Sequence, residues 1–194
     1  MKLANIQTTL LELTGTACLP DLAGMNADDW ALLDALAFQH WMMPLLHSQQ
    51  ADNPLIPVPI RQGWGQASRV SAMTALSQKA ELAETVALLE GAGFAPIALK
   101  GAWLGWYAYP APALRPMTDI DLLLTPETAI AGFEMLLQAG YTLGKAAEMS
   151  LEDVIRLEKH MPPLIGPRGT VIELHHRLWE PDGRLEPQTP FEVY

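Results

Sequence analysis

The spacing of hydrophobic and polar positions changes near residue 95. Before that point apolar residues recur at helical intervals, which predicts helices over Leu3–Leu13, from Asn26 onward and over Ile60–Glu90. Asn26 is a candidate N-cap for the second of these helices, because its side chain can accept hydrogen bonds from free backbone N–H groups. The apolar positions expected on that helix are Trp30, Leu33, Ala37 and Trp41.

Proline and glycine mark where these helices begin and end. Pro44 is expected to end or restart the second helix, and the proline-rich stretch from Asp52 to Pro59 predicts a connector. Gly91 and Gly93 predict the end of the long helix. The stripe expected to face the core of that helix consists of Val70, Met73, Leu76, Ala80, Ala83 and Ala87.

After residue 95 short extended segments alternate with helices. We therefore expect a helical region at residues 1–94 and an α/β core at residues 95–194, which together form one compact unit. The mostly apolar stretch from Ala95 to Leu114 contains Lys100 and three prolines, so it is expected to be a strand, a turn and a helix rather than a membrane span. The predicted strands are Pro96–Leu99, Thr118–Leu124, a short piece from Tyr141, Pro163–Ile165 and Thr170–His175, and the predicted helices between them are Pro126–Gln138 and Leu151–Lys159.

Charge and cysteine content limit the partners and the compartment. The 194 residues include 12 basic and 22 acidic side chains, a net charge of -10, and 49% are hydrophobic. Binding to a long nucleic acid needs several basic contacts to phosphate, so such a partner is not expected. The single cysteine, Cys18, and the absence of an apolar run after Lys2 predict a cytoplasmic protein without a signal peptide.

Two aspartates in the strand Thr118–Leu124 are the first candidates for chemistry. Asp119 and Asp121 are separated by one apolar residue, so both are expected on the face opposite the core, roughly 6 to 7 Å apart. Carboxylates at that spacing can share divalent cations. A solvated strand face without metal is the alternative interpretation.

The last predicted strand adds a third carboxylate. In Val171–His175 the residues Ile172 and Leu174 alternate toward the core, which leaves Glu173 and His175 on the other face. If this strand pairs with the aspartate strand, three carboxylates converge and need a cation to offset their repulsion. Oxygen ligands favour Mg²⁺ or Mn²⁺, and a zinc site built from His160, Glu173 and His175 is the alternative.

The turn Lys100-Gly101-Ala102 connects a strand to a helix. Free N–H groups at the start of a helix, together with the positive end of its dipole, make a natural phosphate site. Lys100 can add a charge there, and Arg115, just before the aspartate strand, can grip two phosphate oxygens or form a structural ion pair.

Three segments together resemble a known family, the uncharacterised nucleotidyltransferases of the DNA-polymerase-beta-like superfamily. The resemblance covers about residues 25 to 180, and it rests on the Lys-Gly turn at residue 100, the run Arg115-Pro-Met-Thr-Asp-Ile-Asp121 and the later Glu173-Leu-His175. It implies an α+β minimal nucleotidyltransferase fold, a small mixed β-sheet flanked by helices, with a helical N-terminal part.

The resemblance also implies roles for individual residues. Asp119, Asp121 and Glu173 would bind Mg²⁺ or Mn²⁺, and the turn at Gly101 would hold the triphosphate of a nucleoside triphosphate. His160 and His175 match family positions and could orient the substrate. The chain departs from the superfamily pattern at Ala102, where serine or glycine is usual, and in the longer gap from the turn to Asp119.

The predicted activity is transfer of a nucleoside monophosphate from a nucleoside triphosphate to a hydroxyl or similar group on a small-molecule, protein or peptide acceptor. The alternative is a binding or regulatory module that keeps the fold and has little or no turnover. A further expectation is that the chain is a minimal version without an acceptor-binding region, because it reaches Tyr194 soon after the last site strand.

Overall fold

The computed structural model describes residues 3–15, 20–144 and 149–179, and Cys18 lies outside these ranges. Within them the fold is mixed α+β, which confirms the predicted class. The helices are α1 (Leu3–Leu13), α2 (Ala27–Gln39), α3 (Met43–Gln50), α4 (Val58–Gly91), α5 (Lys100–Tyr107), the 3₁₀ helix Pro112–Leu114, α6 (Pro126–Gln138) and α7 (Leu151–Leu157). The strands are β1 (Ile97–Ala98), β2 (Asp119–Leu123), β3 (Thr142–Leu143), β4 (Leu164–Ile165) and β5 (Val171–His175).

The chain forms two compact units, each with its own hydrophobic core. The first contains Met1–Leu76 and Leu104–Met117, and the second contains Ser77–Trp103 and Thr118–Tyr194. Helices α4 and α5 run from one unit into the other. The domains predicted at residues 1–94 and 95–194 remain a prediction, since these units are defined by packing and not by sequence pattern.

The first unit contains helices α1 to α3, the first half of α4 and the later segment Leu104–Met117. Asn26 caps α2 as predicted: its side chain accepts hydrogen bonds from the N–H groups of Asp28 and Asp29. Pro44 lies in the first turn of α3 and therefore restarts the helical path. The core of this unit includes Ile6, Leu33, Leu46, Ile56 and Trp64.

Two local predictions for this unit are wrong. Helix α2 ends at Gln39, so Trp41 does not continue its buried stripe; it has a left-handed φ of 58° and is 59% exposed. The connector predicted up to Pro59 is shorter, because α4 begins at Val58. A proline in the first turn is compatible with a helix, since the N–H group that it lacks would have no helical partner there.

Helix α4 ends at Gly91, within one residue of the predicted end, but its predicted buried stripe is wrong. Val70, Met73 and Leu76 are 54%, 74% and 69% exposed. From residue 71 onward the buried positions are mostly polar and lie on another face of the helix: Ser71, Ala75, Gln78, Glu81, Thr85 and Leu89.

Two of the buried polar residues of α4, Glu81 and Thr85, make hydrogen bonds to distant parts of the chain. In the second unit Glu81 accepts a hydrogen bond from the N–H of Arg168 at 2.8 Å, and Thr85 lies 2.8 Å from the hydroxyl of Tyr141. Gly166 is needed beside Glu81, because a Cβ atom at residue 166 would lie 2.4 Å from the Glu81 carboxylate carbon. Burying a polar group costs little free energy when the group has a hydrogen-bond partner. The hydrophobic stripe of α4 therefore does not decide which face of this helix is buried.

A five-stranded mixed sheet organises the second unit. Its strand order is β1-β2-β5-β4-β3, with β2 and β5 parallel and the other neighbouring pairs antiparallel. The alternation predicted from sequence is present: Ile120, Leu122, Ile172 and Leu174 are buried in the core. Helix α6 ends before Gly140, which has a φ of +97°.

In the part of the chain that the structure describes, no helix is both long enough and apolar enough to cross a membrane.

Candidate metal and nucleotide site

The central strand pair brings the predicted carboxylates together. In the parallel pairing of β2 with β5, Asp121 lies opposite Glu173, Asp119 opposite Val171, and Leu123 opposite His175. Because apolar side chains on both strands point into the core, the aspartates, Glu173 and His175 share the other face. The strand pairing expected from sequence is therefore present, and it places two carboxylates side by side.

Asp121 is the most buried and the best-paired carboxylate of this face. Its Oδ1 atom accepts a hydrogen bond from Lys100 Nζ at 2.6 Å and lies 2.8 Å from His175 Nε2. The Asp121 side chain is 3% exposed and that of His175 is 1% exposed, whereas that of Lys100 is 53% exposed. One carboxylate oxygen thus carries two nitrogen partners.

These contacts shift the protonation of both partners. Burial alone would raise the pKa of Asp121, but the hydrogen bonds from His175 and Lys100 outweigh it, and the pKa falls below its ordinary value. Burial alone would lower the pKa of His175, but the hydrogen bonds to Asp121 and Glu173 outweigh it and raise the pKa to about 8. The His175 imidazole is therefore mainly a cation at neutral pH and donates to Asp121.

Glu173 lies between two histidines. Its Oε2 atom is 3.5 Å from His175 Nε2 and 3.8 Å from His160 Nε2. The hydrogen bond from His175 is the main reason that the pKa of Glu173 is lowered, against the opposing effect of burial. His160 Nδ1 is 2.8 Å from the carbonyl oxygen of Met161, so this nitrogen carries the proton and Nε2 faces the carboxylate.

Asp119 has a different environment from Asp121. The polar contact that it makes within the described chain is a hydrogen bond from Thr118 Oγ1 at 3.3 Å. Burial raises the pKa of Asp119, and the negative charges of Asp121 and Glu173 raise it further. Within the residues that the structure describes, the charged form of Asp119 therefore has no cationic partner at hydrogen-bonding distance.

The predicted phosphate turn is present where β1 leads into α5. Helix α5 begins at Lys100, and the N–H groups of its first turn have no partner within the helix. Lys100 has a φ of 43°, a left-handed conformation that is costly for a residue with a side chain. Ala102 is 1% exposed and packs in the core, so only its backbone could contact phosphate.

Arg115 belongs to the first compact unit. It follows the 3₁₀ helix, and its backbone N–H donates to the carbonyl oxygen of Pro112. Its expected contact with phosphate remains a prediction.

His176 is a buried residue to which the sequence assigned no role. It is 4% exposed, and within the described chain neither of its ring nitrogens has a hydrogen-bond partner. Burial lowers the pKa of His176 to about 4, so the ring is neutral. The alternation of β5 is the signal that could have identified it, because residue 176 follows Ile172 and Leu174 on the core side.

The donor atoms of this face fit a cation. One ligand atom each from Asp121, Glu173 and His175 lie within 4.8 Å of one another. Within the described chain, that group includes neither Asp119 nor His160. The two carboxylates are ligands that Mn²⁺ and similar divalent ions accept, the His175 imidazole can join them only in its neutral form, and Asp119 on the same face supplies a further carboxylate.

The chain belongs to a nucleotidyltransferase family. The family described as uncharacterised nucleotidyltransferase matches residues 26–193, which confirms the resemblance seen at the lysine turn and the two acidic strands. Comparisons with curated proteins and with solved structures gave no significant match. Transfer of a nucleoside monophosphate is the general chemistry that this family membership supports.

Proposed function

We propose that the protein transfers a nucleoside monophosphate from a nucleoside triphosphate to a hydroxyl or similar group of a small-molecule, protein or peptide acceptor. The observation that carries the proposal is the face shared by Asp119, Asp121 and Glu173 in a chain of this family. The low cysteine content and net negative charge support a cytoplasmic location and argue against a long nucleic-acid partner.

Asp119, Asp121 and Glu173 are the residues that we assign to Mg²⁺ or Mn²⁺. Burial and the two carboxylate neighbours raise the pKa of Asp119, so a divalent ion on this face would stabilise its charged form. A bound divalent ion would offset charge on the phosphates and make the acceptor hydroxyl more acidic.

The other residues bind and orient the substrates. We assign the triphosphate to the first turn of α5, because the backbone N–H groups there have no partner within the helix and can donate to phosphate oxygens. Lys100 supplies positive charge to the triphosphate, and His160 and His175 position the acceptor. The acceptor oxygen then forms a bond to the α-phosphorus, and the bond to the bridging oxygen breaks. Pyrophosphate leaves with the electron pair, and the hydroxyl proton goes to solvent.

A binding module without turnover is the second candidate. It is favoured by one observation, that Lys100 and His175 already balance the charge of Asp121 without a divalent ion. In such a module the nucleotide would bind at the same turn, and no bond to the α-phosphorus would form.

Transfer of label from each α-phosphate-labelled triphosphate tests the proposal. The wild-type protein should label an acceptor from a cell lysate, or itself, only with Mg²⁺ or Mn²⁺, and Asp119→Asn/Asp121→Asn should not. Glu134→Gln, which removes an exposed carboxylate of α6, is the matched control and should retain transfer. Equal labelling by the wild type and the double variant would refute the enzyme. Triphosphate binding by calorimetry without label transfer would favour the binding module.

A further inference from the structure

Lys100 occupies the position that a cation needs on Asp121. Its ammonium group is 2.6 Å from Asp121 Oδ1 and 3.4 Å from His175 Nε2. Both of these atoms belong to residues of the group that could hold a metal ion. The lysine is thus a cation of the protein itself, placed among the candidate ligands.

An ammonium group and a divalent ion cannot both contact Asp121 Oδ1 without a large electrostatic cost. Two positive charges a few ångströms apart repel strongly in a partly buried site, because little water lies between them to screen the interaction. Asp121 Oδ1 also has His175 as a partner, which leaves less room for a third contact. One of the positive groups has to move before a metal ion can bind this oxygen.

The Lys100 side chain is the group that is free to move. It is 53% exposed, whereas that of His175 is 1% exposed and held within β5. The backbone of Lys100 has the strained φ of 43°, and the residue is the first of α5, where phosphate is expected. A lysine that leaves Asp121 would remain at the start of that helix.

We propose that Lys100 is a resident cation that binds Asp121 until a divalent ion replaces it, and that this exchange releases the Lys100 ammonium toward the triphosphate. The inference rests on the proposed function, because it describes how the same site is regulated. Metal binding and phosphate binding are coupled through one side chain, so that either ligand alone binds less tightly than both together.

Calorimetric titration with Mn²⁺, without nucleotide, tests the exchange. Lys100→Met should bind Mn²⁺ roughly tenfold or more tightly than the wild type, because an opposite charge beside a carboxylate changes its affinity for cations by that order. Lys79→Met removes the same charge from the exposed side of α4 and should stay within about twofold of the wild type. Lys100→Gly, which suits the left-handed backbone, is a second neutral variant with the same expectation as Lys100→Met.

Amine acylation followed by mass spectrometry reports where the lysine is. In the wild type, Mn²⁺ should speed acylation of Lys100 with the same midpoint as the calorimetric titration, because the ammonium is no longer held by Asp121. Acylation of Lys79 should not respond to Mn²⁺. In Asp121→Asn, Lys100 should be acylated rapidly without any metal.

The inference is overturned if Lys100→Met and Lys100→Gly bind Mn²⁺ no more tightly than Lys79→Met, or if Mn²⁺ leaves acylation of Lys100 unchanged. Neither readout uses a nucleotide or turnover. A negative transfer assay with positive Mn²⁺ results would refute the proposed enzyme and retain the exchange, and the reverse outcome would refute the exchange alone.

Discussion

Asp119 and Asp121 lie two residues apart on one face of β2, yet their surroundings are opposite. Asp121 is nearly inaccessible and accepts hydrogen bonds from two cationic side chains, so its pKa is lowered despite its burial. Asp119 has a hydroxyl partner and two negative neighbours, and burial together with their charge raises its pKa. The fold thus favours the charged form of Asp121 and disfavours the charged form of Asp119, although both are aspartates on one strand.

This difference suggests a division of roles. Asp121 accepts hydrogen bonds from Lys100 and His175 and therefore contributes to the stability of the metal-free protein. Asp119 costs free energy as an anion until a cation arrives, so it contributes to ligand binding and not to folding. Substitution should therefore separate two carboxylates that a sequence pattern treats as equivalent.

The largest expected effect is the loss of stability in Asp121→Asn. The substitution leaves Lys100 and His175 without their carboxylate, and breaking a buried ion pair should lower the free energy of unfolding by about 3 kcal/mol. Urea denaturation of the metal-free protein measures this. Equal unfolding free energies for Asp121→Asn and Asp119→Asn would remove the contrast between the two residues.

The pH dependence of stability should follow the partner of Asp121. The pKa of His175 is raised to about 8 in the folded protein, so its contribution is fully present below the unfolded value near 6.5 and is lost as pH rises through 8. The expected loss in the metal-free protein is at most about 2 kcal/mol. Urea denaturation at pH 6.5 and pH 8.5 measures it, and His175→Gln should flatten this part of the profile.

His176 has the opposite effect at lower pH. Its pKa is lowered to about 4, so its contribution is present above 6.5 and declines as pH falls toward 4. For His175, the contradicting result would be a wild-type profile of unfolding free energy that is as flat above pH 6.5 as the profile of His175→Gln. That result would contradict the ion pair between His175 and Asp121.

Divalent metal should stabilise the protein through Asp119. At a free Mg²⁺ concentration ten times the dissociation constant, binding adds about 1.4 kcal/mol to the free energy of unfolding. Thermal melting with and without Mg²⁺ should show this for the wild type and for Glu134→Gln. Asp119→Asn should lose most of the shift, and a full shift in that variant would place the metal elsewhere.

The smallest effect should be that of Asp119→Asn in the absence of metal. Removing a negative charge beside Asp121 and Glu173 should leave stability unchanged or raise it by up to about 1 kcal/mol. Urea denaturation in the presence of a chelator measures this. A clear destabilisation would mean that Asp119 has a structural partner in the metal-free protein.

The sheet and its polar face could be predicted because strand alternation is a strong local signal. Ile120 and Leu122 on one strand and Ile172 and Leu174 on the next fix which faces are buried, and Asp121 and Glu173 follow on the opposite side. No long-range information was needed beyond the expectation that these two strands pair.

Helix α4 shows where hydrophobic pattern is insufficient. Its inward face carries Glu81 and Thr85, whose partners, the backbone of Arg168 and the hydroxyl of Tyr141, are 87 and 56 residues away. Sequence does not reveal which polar residues will find such partners, so the apolar stripe at Met73 and Leu76 pointed to the wrong face.

The pairing within the site was also beyond prediction. Lys100 was expected at phosphate, but its contact with Asp121 depends on how α5 leaves β1 and joins residues 21 positions apart. His175 and Asp121 are 54 positions apart. Shared strand faces indicate which residues are near one another, whereas the rotamers that select partners emerge only in the packed structure.

Anomalous diffraction from crystals soaked with Mn²⁺ and a non-hydrolysable nucleoside triphosphate tests the central claim most directly. The account predicts a Mn²⁺ peak bound by Asp119, Asp121 and Glu173, with the triphosphate at the start of α5 and Lys100 Nζ moved from Asp121 to a phosphate oxygen. Crystals with triphosphate bound but no Mn²⁺ peak on these carboxylates, and with Lys100 still on Asp121, would contradict it.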